Sequence, residues 1–455
     1  MKIINYDVGV NIKMKPDDKL TSKHAKWILA TFLAWTFDLY DLFSILLVTP
    51  YIAELFFPSK VVFLAIAATY ATFLTSFLMR PVGALYFGNN ISDKLGRKKA
   101  ILYGIIGLVI TASLQGALPT YAVVGIFAPI LIILVRLAEG FFVGGVTAGS
   151  HTIGPESVPE RHRGWVGGIG FSAAGAAYLI ASAWFYMTAL LFPGSSYLVW
   201  GWRVMFFGGL LPLAVLGFVN YLVPESDAWQ KVKERGKTIR SPVRELFSKY
   251  RRTFGIALVL TIGWALMYYL TQGLFPTFLS KINGLTKAEI GITMIIASIG
   301  MIIGPALGGE ISQHIGRKLM SILGAVIVIA ISPLYLYLGS LSISSLNNII
   351  LVTFLISLLS DFGGGMLMTY LNEAYPTNIR GTGVAFTWNS GFAIGGASPT
   401  IISLVLASIG ASKFPLVMFY ALLIVGVILL ISSVISKDTK GNILKEIESA
   451  EKGAI

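Results

Sequence analysis

Six ionisable side chains sit inside long apolar runs of this chain: Asp38, Asp41, Arg80, Arg136, Glu139 and Asp361. At the centre of a bilayer a charge costs at least a few kcal/mol, so each needs a partner or a water-filled cavity. The stretch WTFDLYDLF (35–43) sets Asp38 and Asp41 three apart, on one helical face. Two carboxyls in one cavity of low dielectric repel each other, which suits them to hold and release a proton. Arg136 and Glu139 are one turn apart in RLAEGFFVGG (136–145), and Arg80 lies in FLMRPVGALYFG (77–88). A guanidinium grips a carboxylate with two parallel hydrogen bonds. Arg80 is therefore a candidate substrate anchor or, equally, half of an ion pair with Asp41. Trp264, Tyr268 and Gln272 recur every four residues in GWALMYYLTQGLFPTFL (263–279), as a cavity-facing stripe would. Asn389 in FTWNSGFAIGGASP (386–399) and Asp361 beside three glycines complete the candidate binding set.

Other chemistries find no support. The chain has no cysteine, so disulfides and thiolate metal sites are excluded. Its four histidines (24, 151, 162, 314) are scattered, and no nucleotide-binding loop appears. Neither an enzyme nor a metal or cofactor is expected.

The elements that carry these residues are membrane helices. Apolar residues make up 55% of the chain and charged ones 13%, about half the charge of a soluble domain. Apolar runs of about 20 residues, the length that crosses a bilayer, recur along it. They predict helices over 27–55, 61–88, 98–119, 122–156, 164–192, 200–223, 253–280, 288–311, 317–340, 347–373, 382–408 and 414–436. With both termini inside, 28 of the 35 Lys and Arg residues fall on the cytoplasmic side. This is the positive-inside signature, so the net charge of +13 is a topology signal and no nucleic-acid partner is implied. The first 25 residues lack a secretory h-region and cleavage site, and helix 1 is expected to stay as an anchor. From a helical rise of 1.5 Å per residue, Asp38, Arg136 and Asp361 lie near the bilayer midplane.

The expected organisation is an N-terminal tail (1–26), six helices (27–223), a basic cytoplasmic linker (224–252), six more helices (253–436) and a C-terminal tail (437–455). The halves repeat. SDKLGRKK (92–99) matches SQHIGRKL (312–319), and ESVPERHRG (156–164) matches EAYPTNIRG (373–381). Duplicated halves mark transporters in which two bundles rock about a midplane site.

In these motifs, over about residues 25–436, the chain resembles the major facilitator superfamily. RLAEGFFVGG, PESDAW (224–229) and GFAIGGASP (391–399) look like its metabolite–proton symporter and sugar-porter branches. FDLYDLFSILLVTP is similar to helix 1 of the phosphate–proton symporters. The loop motif departs slightly: Asn89 takes a glycine position, and Gln313 replaces the acid of the second copy. The resemblance implies an all-α fold of 12 membrane helices in two pseudo-symmetric bundles. It also implies gating ion pairs among Asp93, Arg97, Glu156, Arg163, Arg317, Glu373 and Arg380. In such relatives the residue matching Asp38 exchanges a proton and meets an arginine matching Arg136. The alternative is a permanent Arg136–Glu139 pair. Proton coupling is thus assigned to Asp38, Asp41, Arg136 and Glu139, and substrate contact to Arg80, Trp264, Tyr268, Gln272, Asp361 and Asn389. Helix 7 lacks the aspartate of phosphate symporters, which makes phosphate the runner-up. The function expected is proton symport of a small polar metabolite, an organic anion, by a monomer in the cell membrane. A phosphate or sugar carrier is the alternative, followed by drug efflux or a transporter-like sensor.

Overall fold

A computed structural model describes residues 20–87, 91, 97–150, 158–211, 213, 216–217, 243–376 and 379–442. The described residues are helical, with no strand among them. The first half holds α1 (Ser22–Phe56), α2 (Val62–Tyr86), α3 (Arg97–Ala117), α4 (Phe127–Ser150), α5 (Arg163–Leu191) and α6, described in part from Trp202–Phe207. In the second half, α7 runs as Arg251–Tyr268, a π-helical turn Tyr269–Gly273, then Phe275–Lys281. It is followed by α8 (Lys287–Ile315), α9 (Arg317–Ile331 and Leu334–Ser340) and α10 (Leu346–Phe362, Gly363–Met366 and Leu367–Ala374). The last two are α11 (Arg380–Gly395 and Ser398–Ile409) and α12 (Phe414–Ile435). Among the described residues, ten apolar helices are long enough to span a bilayer, and Leu102–Ala117 is a shorter one.

Local chemistry sets several boundaries. Thr286 and Glu289 form a reciprocal capping box that starts α8, satisfying amide donors the first turn leaves free. Gly316 stands between α8 and α9 at φ 93°, a conformation only glycine adopts cheaply. The run expected to be helical from 122 is broken at Gly125 (φ 56°), so α4 starts at Phe127.

Water cannot drive helices together within lipid, so close backbone approach matters more. A Cβ on Gly83 would strike the Phe141 carbonyl, and one on Gly140 the Ser76 carbonyl, so these glycines set the α2–α4 crossing. Between the halves, Gly164 and Gly168 of α5 lie directly against Gly309 of α8. The halves also meet on both sides of the molecule's centre. On the side of the chain ends, the Gly164 amide donates to Gln313 Oε1 (2.9 Å) and Thr369 Oγ1 to the Arg163 carbonyl (3.0 Å). On the opposite side, Tyr70 OH donates to the Gly273 carbonyl (3.0 Å), and the Lys287 ammonium lies 5.1 Å from the Tyr51 ring. The halves therefore touch on both sides of the centre.

Candidate functional site

Trp35, Asp38, Leu39 and Leu42 follow the i, i+3, i+4, i+7 spacing of one helical face, and this face of α1 lines a central cavity. Opposite lie Arg80, Phe171, Ala174, Tyr268, Tyr269, Trp388 and Phe392. Its volume is about 30 Å³, enough for a water molecule. Six aromatic rings wall it. Trp388 stacks on Phe392 (4.4 Å between centroids) and tilts against Trp35 (5.4 Å), and Tyr268 meets Tyr269 edge-on (5.4 Å). The Arg80 guanidinium sits 4.1 Å over the Phe77 ring. Among the described residues, Asp38 Oδ1 and Arg80 Nε are buried without hydrogen-bond partners, so both have capacity for a ligand.

Of the six residues expected to contact substrate, Arg80 and Tyr268 line this cavity and four do not. The Trp264 indole packs against Gly324 and Gly363, filling space that side chains there would occupy. Gln272 turns towards α10, where its Nε2 donates to Asp361 Oδ2 (3.2 Å) and its Oε1 accepts from Ser357 (3.2 Å). Asn389 donates to its own helix at the Ala385 carbonyl (2.9 Å). A four-residue stripe drifts about 40° per step on a 3.6-residue helix, and the π turn rotates α7 further. Trp264 and Gln272 therefore leave the face that Tyr268 keeps. Trp35, Phe171, Tyr269, Trp388 and Phe392 were missed. An aromatic ring in a membrane helix packs far more often than it binds, and only the apolar spacing around Asp38 signals Trp35.

Asp38 and Asp41 diverge. Instead of the expected Asp38–Arg136 contact, Arg136 Nη1 donates to Asp41 Oδ2 (2.8 Å) and to Glu139 Oε2 (2.8 Å). Gln115 Nε2 ties the same two carboxyls together, at 3.2 Å from Asp41 Oδ1 and 3.0 Å from Glu139 Oε2. The alternative Arg136–Glu139 pair is thus present, but within a three-helix network that includes Asp41. Arg136, Asp41 and Glu139 are 1%, 3% and 3% exposed, so this cluster is dry. One cation facing two carboxylates leaves a net charge of −1, and a proton on either carboxyl would neutralise it. Arg80 shares its cavity with Asp38, since Asp41 is taken by Arg136.

Pro276 explains the broken α7. Its ring excludes the carbonyl of residue i−4 and it has no amide hydrogen. The freed Gln272 carbonyl accepts from Tyr178 OH of α5 (2.9 Å), beside the Tyr70–Gly273 contact.

Among the expected gating residues, Asp93, Glu156 and the Arg97 side chain lie outside the described residues. Arg317 holds Glu373 through two nitrogens, Nε to Oε2 (3.1 Å) and Nη2 to Oε1 (3.0 Å), joining the two repeated loop motifs of the second half. Thr439 adds a third bond to Glu373, at 3.0 Å. Arg163 is buried at the start of α5, and Arg380 Nε donates to the Tyr375 carbonyl (3.0 Å).

The Major Facilitator Superfamily profile matches residues 27–400. A proline/betaine transporter of Salmonella typhimurium is 30% identical over 406 residues, covering 87% of this chain and 79% of that protein. A citrate–proton symporter of Salmonella typhi is 25% identical over 381 residues, 83% of this chain and 86% of its own. Among solved structures, the xylose transporter of E. coli in a partially occluded inward-open conformation aligns with a TM-score of 0.69 at 16% identity. That alignment covers 92% of this chain and 99% of the other.

Proposed function

The chain belongs to the Major Facilitator Superfamily, and from that premise we propose that it carries a small zwitterion, a carboxylate joined to a substituted ammonium, in symport with protons. One observation carries the reading: a cavity that sets Asp38 and Arg80 among six aromatic rings. Aromatic faces attract an organic cation, and the guanidinium takes the carboxylate by a charge-assisted pair of bonds. Arg80 is the only cation among the described lining residues and Asp38 offsets it, which favours a zwitterion over the net organic anion expected from sequence. The similarity to a proline/betaine transporter points the same way. A sugar would need several neutral polar groups, yet Gln272 and Asn389 bond elsewhere.

In this reading the halves 27–223 and 253–436 of a monomer rock about the cavity, with 224–252 as linker and both termini cytoplasmic. Proton uptake by Asp38 frees Arg80 for the substrate carboxylate, and the closed form then exposes the site to the other side. Release of substrate and proton restores the attraction between Asp38 and Arg80. The Asp41–Arg136–Glu139 cluster holds α1 and α4 in register. Arg317–Glu373, with Arg163 and Arg380 nearby, closes the cytoplasmic side.

The test is uptake into proteoliposomes of labelled betaine, proline, citrate and xylose, with an inward proton gradient and with a protonophore. Betaine or proline should accumulate only with the gradient. Asp38→Asn should abolish accumulation, and Trp388→Ala should raise KM roughly 5–30-fold for a lost cation–π contact of about 1–2 kcal/mol. Uptake of citrate or xylose, with betaine and proline excluded, would overturn the zwitterion reading.

A further inference from the structure

Asp361 stands outside the cavity and outside the Arg136 cluster. It lies midway along the α10 span, is 1% exposed, and its Oδ2 accepts the Gln272 amide at 3.2 Å. Its Oδ1 is buried with no hydrogen-bond partner among the described residues. No Lys, Arg or His forms an ion pair with it among the described residues. The titratable groups facing it from α7 and α5 are tyrosines: Tyr268, whose buried hydroxyl is also unpartnered among the described residues, and Tyr178, behind Gln272. The helices α8 and α9, which also pack on α10, carry their ionisable side chains only near their ends (Lys287, Glu289, Glu310 and His314; Arg317, Lys318, Tyr335 and Tyr337). An ionised carboxylate with one amide donor and no cation would cost several kcal/mol here, whereas the neutral acid fits.

Gln272 gives this neutrality a mechanical consequence. Its side chain is held by Asp361 and Ser357 of α10, while its main-chain carbonyl accepts Tyr178 OH from the other half. The same π turn carries Tyr269 and adjoins Tyr268, two walls of the cavity. We infer that Asp361 is a second proton-binding site, distinct from Asp38, whose neutral form is required for α7 to close over the cavity. A proton from water adds to Oδ1 while the site is open, travels with the closed form, and returns to water on the far side. The inference builds on the transport reading but concerns how many protons move, not which solute.

Two measurements test it. Reversal potentials in proteoliposomes should give two protons per solute for the wild type and one for Asp361→Asn, with solute exchange retained. A wild-type value of one, unchanged in the variant, would overturn the proposal, as would a value of two in Asp361→Asn. The second measurement needs no solute and survives failure of the zwitterion reading. The chain has no cysteine, so spin labels at Ser59→Cys and Ala411→Cys, both exposed, can report the separation of the halves on the side of Tyr70. In the wild type, raising pH should shift the population towards longer distances by up to about tenfold per pH unit. Asp361→Asn should flatten this dependence, and Asp38→Asn should leave it. An equal pH response in wild type and Asp361→Asn would reduce Asp361 to a packing hydrogen bond.

Discussion

Replacing Arg136 by methionine removes the one cation from a dry cluster and leaves two carboxyls facing each other. Both contacts of Arg136 are 2.8 Å long, and all three groups are nearly inaccessible. With charge centres about 4 Å apart and an effective dielectric of about 20, each pair contributes about 4 kcal/mol of attraction. Desolvating the guanidinium offsets much of that total, and breaking a buried pair typically costs about 3–5 kcal/mol. Protonation of both carboxyls limits the loss, so about 3 kcal/mol is expected for Arg136→Met alone. The triple change Arg136→Met, Asp41→Asn, Glu139→Gln leaves no buried charge unpaired and should recover most of it. The assay is the unfolding midpoint of purified protein in detergent, followed by tryptophan fluorescence and titrated with denaturant. Equal destabilisation in the single and triple variants would refute the reasoning, because the cost would then come from lost packing rather than from stranded charge.

Three further outcomes are expected. Gly83→Ala should destabilise by about 1–3 kcal/mol, since the added carbon meets the Phe141 carbonyl on a rigid neighbouring helix; thermal unfolding in detergent checks it, and an unchanged midpoint would sink the account of that crossing. Tyr70→Phe removes a hydroxyl shared between the Gly273 carbonyl and Thr277. A loss of about 1 kcal/mol should raise the fraction open on that side about fivefold, read as faster thiol labelling of a cysteine placed at Gly273. Arg317→Lys cannot reproduce the two-nitrogen grip on Glu373; it should open the opposite side, measured as increased protease or thiol access there, while Arg317→Ala should do so more strongly.

Elements built from local rules were legible in advance. The bounds expected for helix 9, 317–340, coincide with the two pieces of α9, and most others lie within a few residues. Bilayer thickness sets the length of such runs, and the duplicated loops mark their ends. The break in α7 follows from a local rule too, since proline at 276 excludes the carbonyl one turn back. The six ionisable residues inside apolar runs were visible because charge there is costly wherever the helix turns. Their partners were less accessible. Asp38 and Asp41 share a helical face by spacing, yet one meets the Arg80 cavity and the other meets Arg136. The angle between their directions, about 60° on an α-helix, is enough to separate them once neighbouring helices lie on either side. Trp264 and Gln272 left the cavity through the drift of their stripe and the π turn of α7, and their places are filled by aromatic residues from three other helices, α1, α5 and α11.

Sequence alone determined that this is a twelve-helix membrane protein with two similar halves and a handful of buried charges, because solvation energy acts residue by residue and needs no knowledge of neighbours. Tertiary structure decided which charges pair, which rings wall the cavity, and that Asp361 has no cation beside it among the described residues. Those are distances between side chains tens to hundreds of residues apart, and they depend on helix rotation and on glycine-set approach that no local spacing encodes.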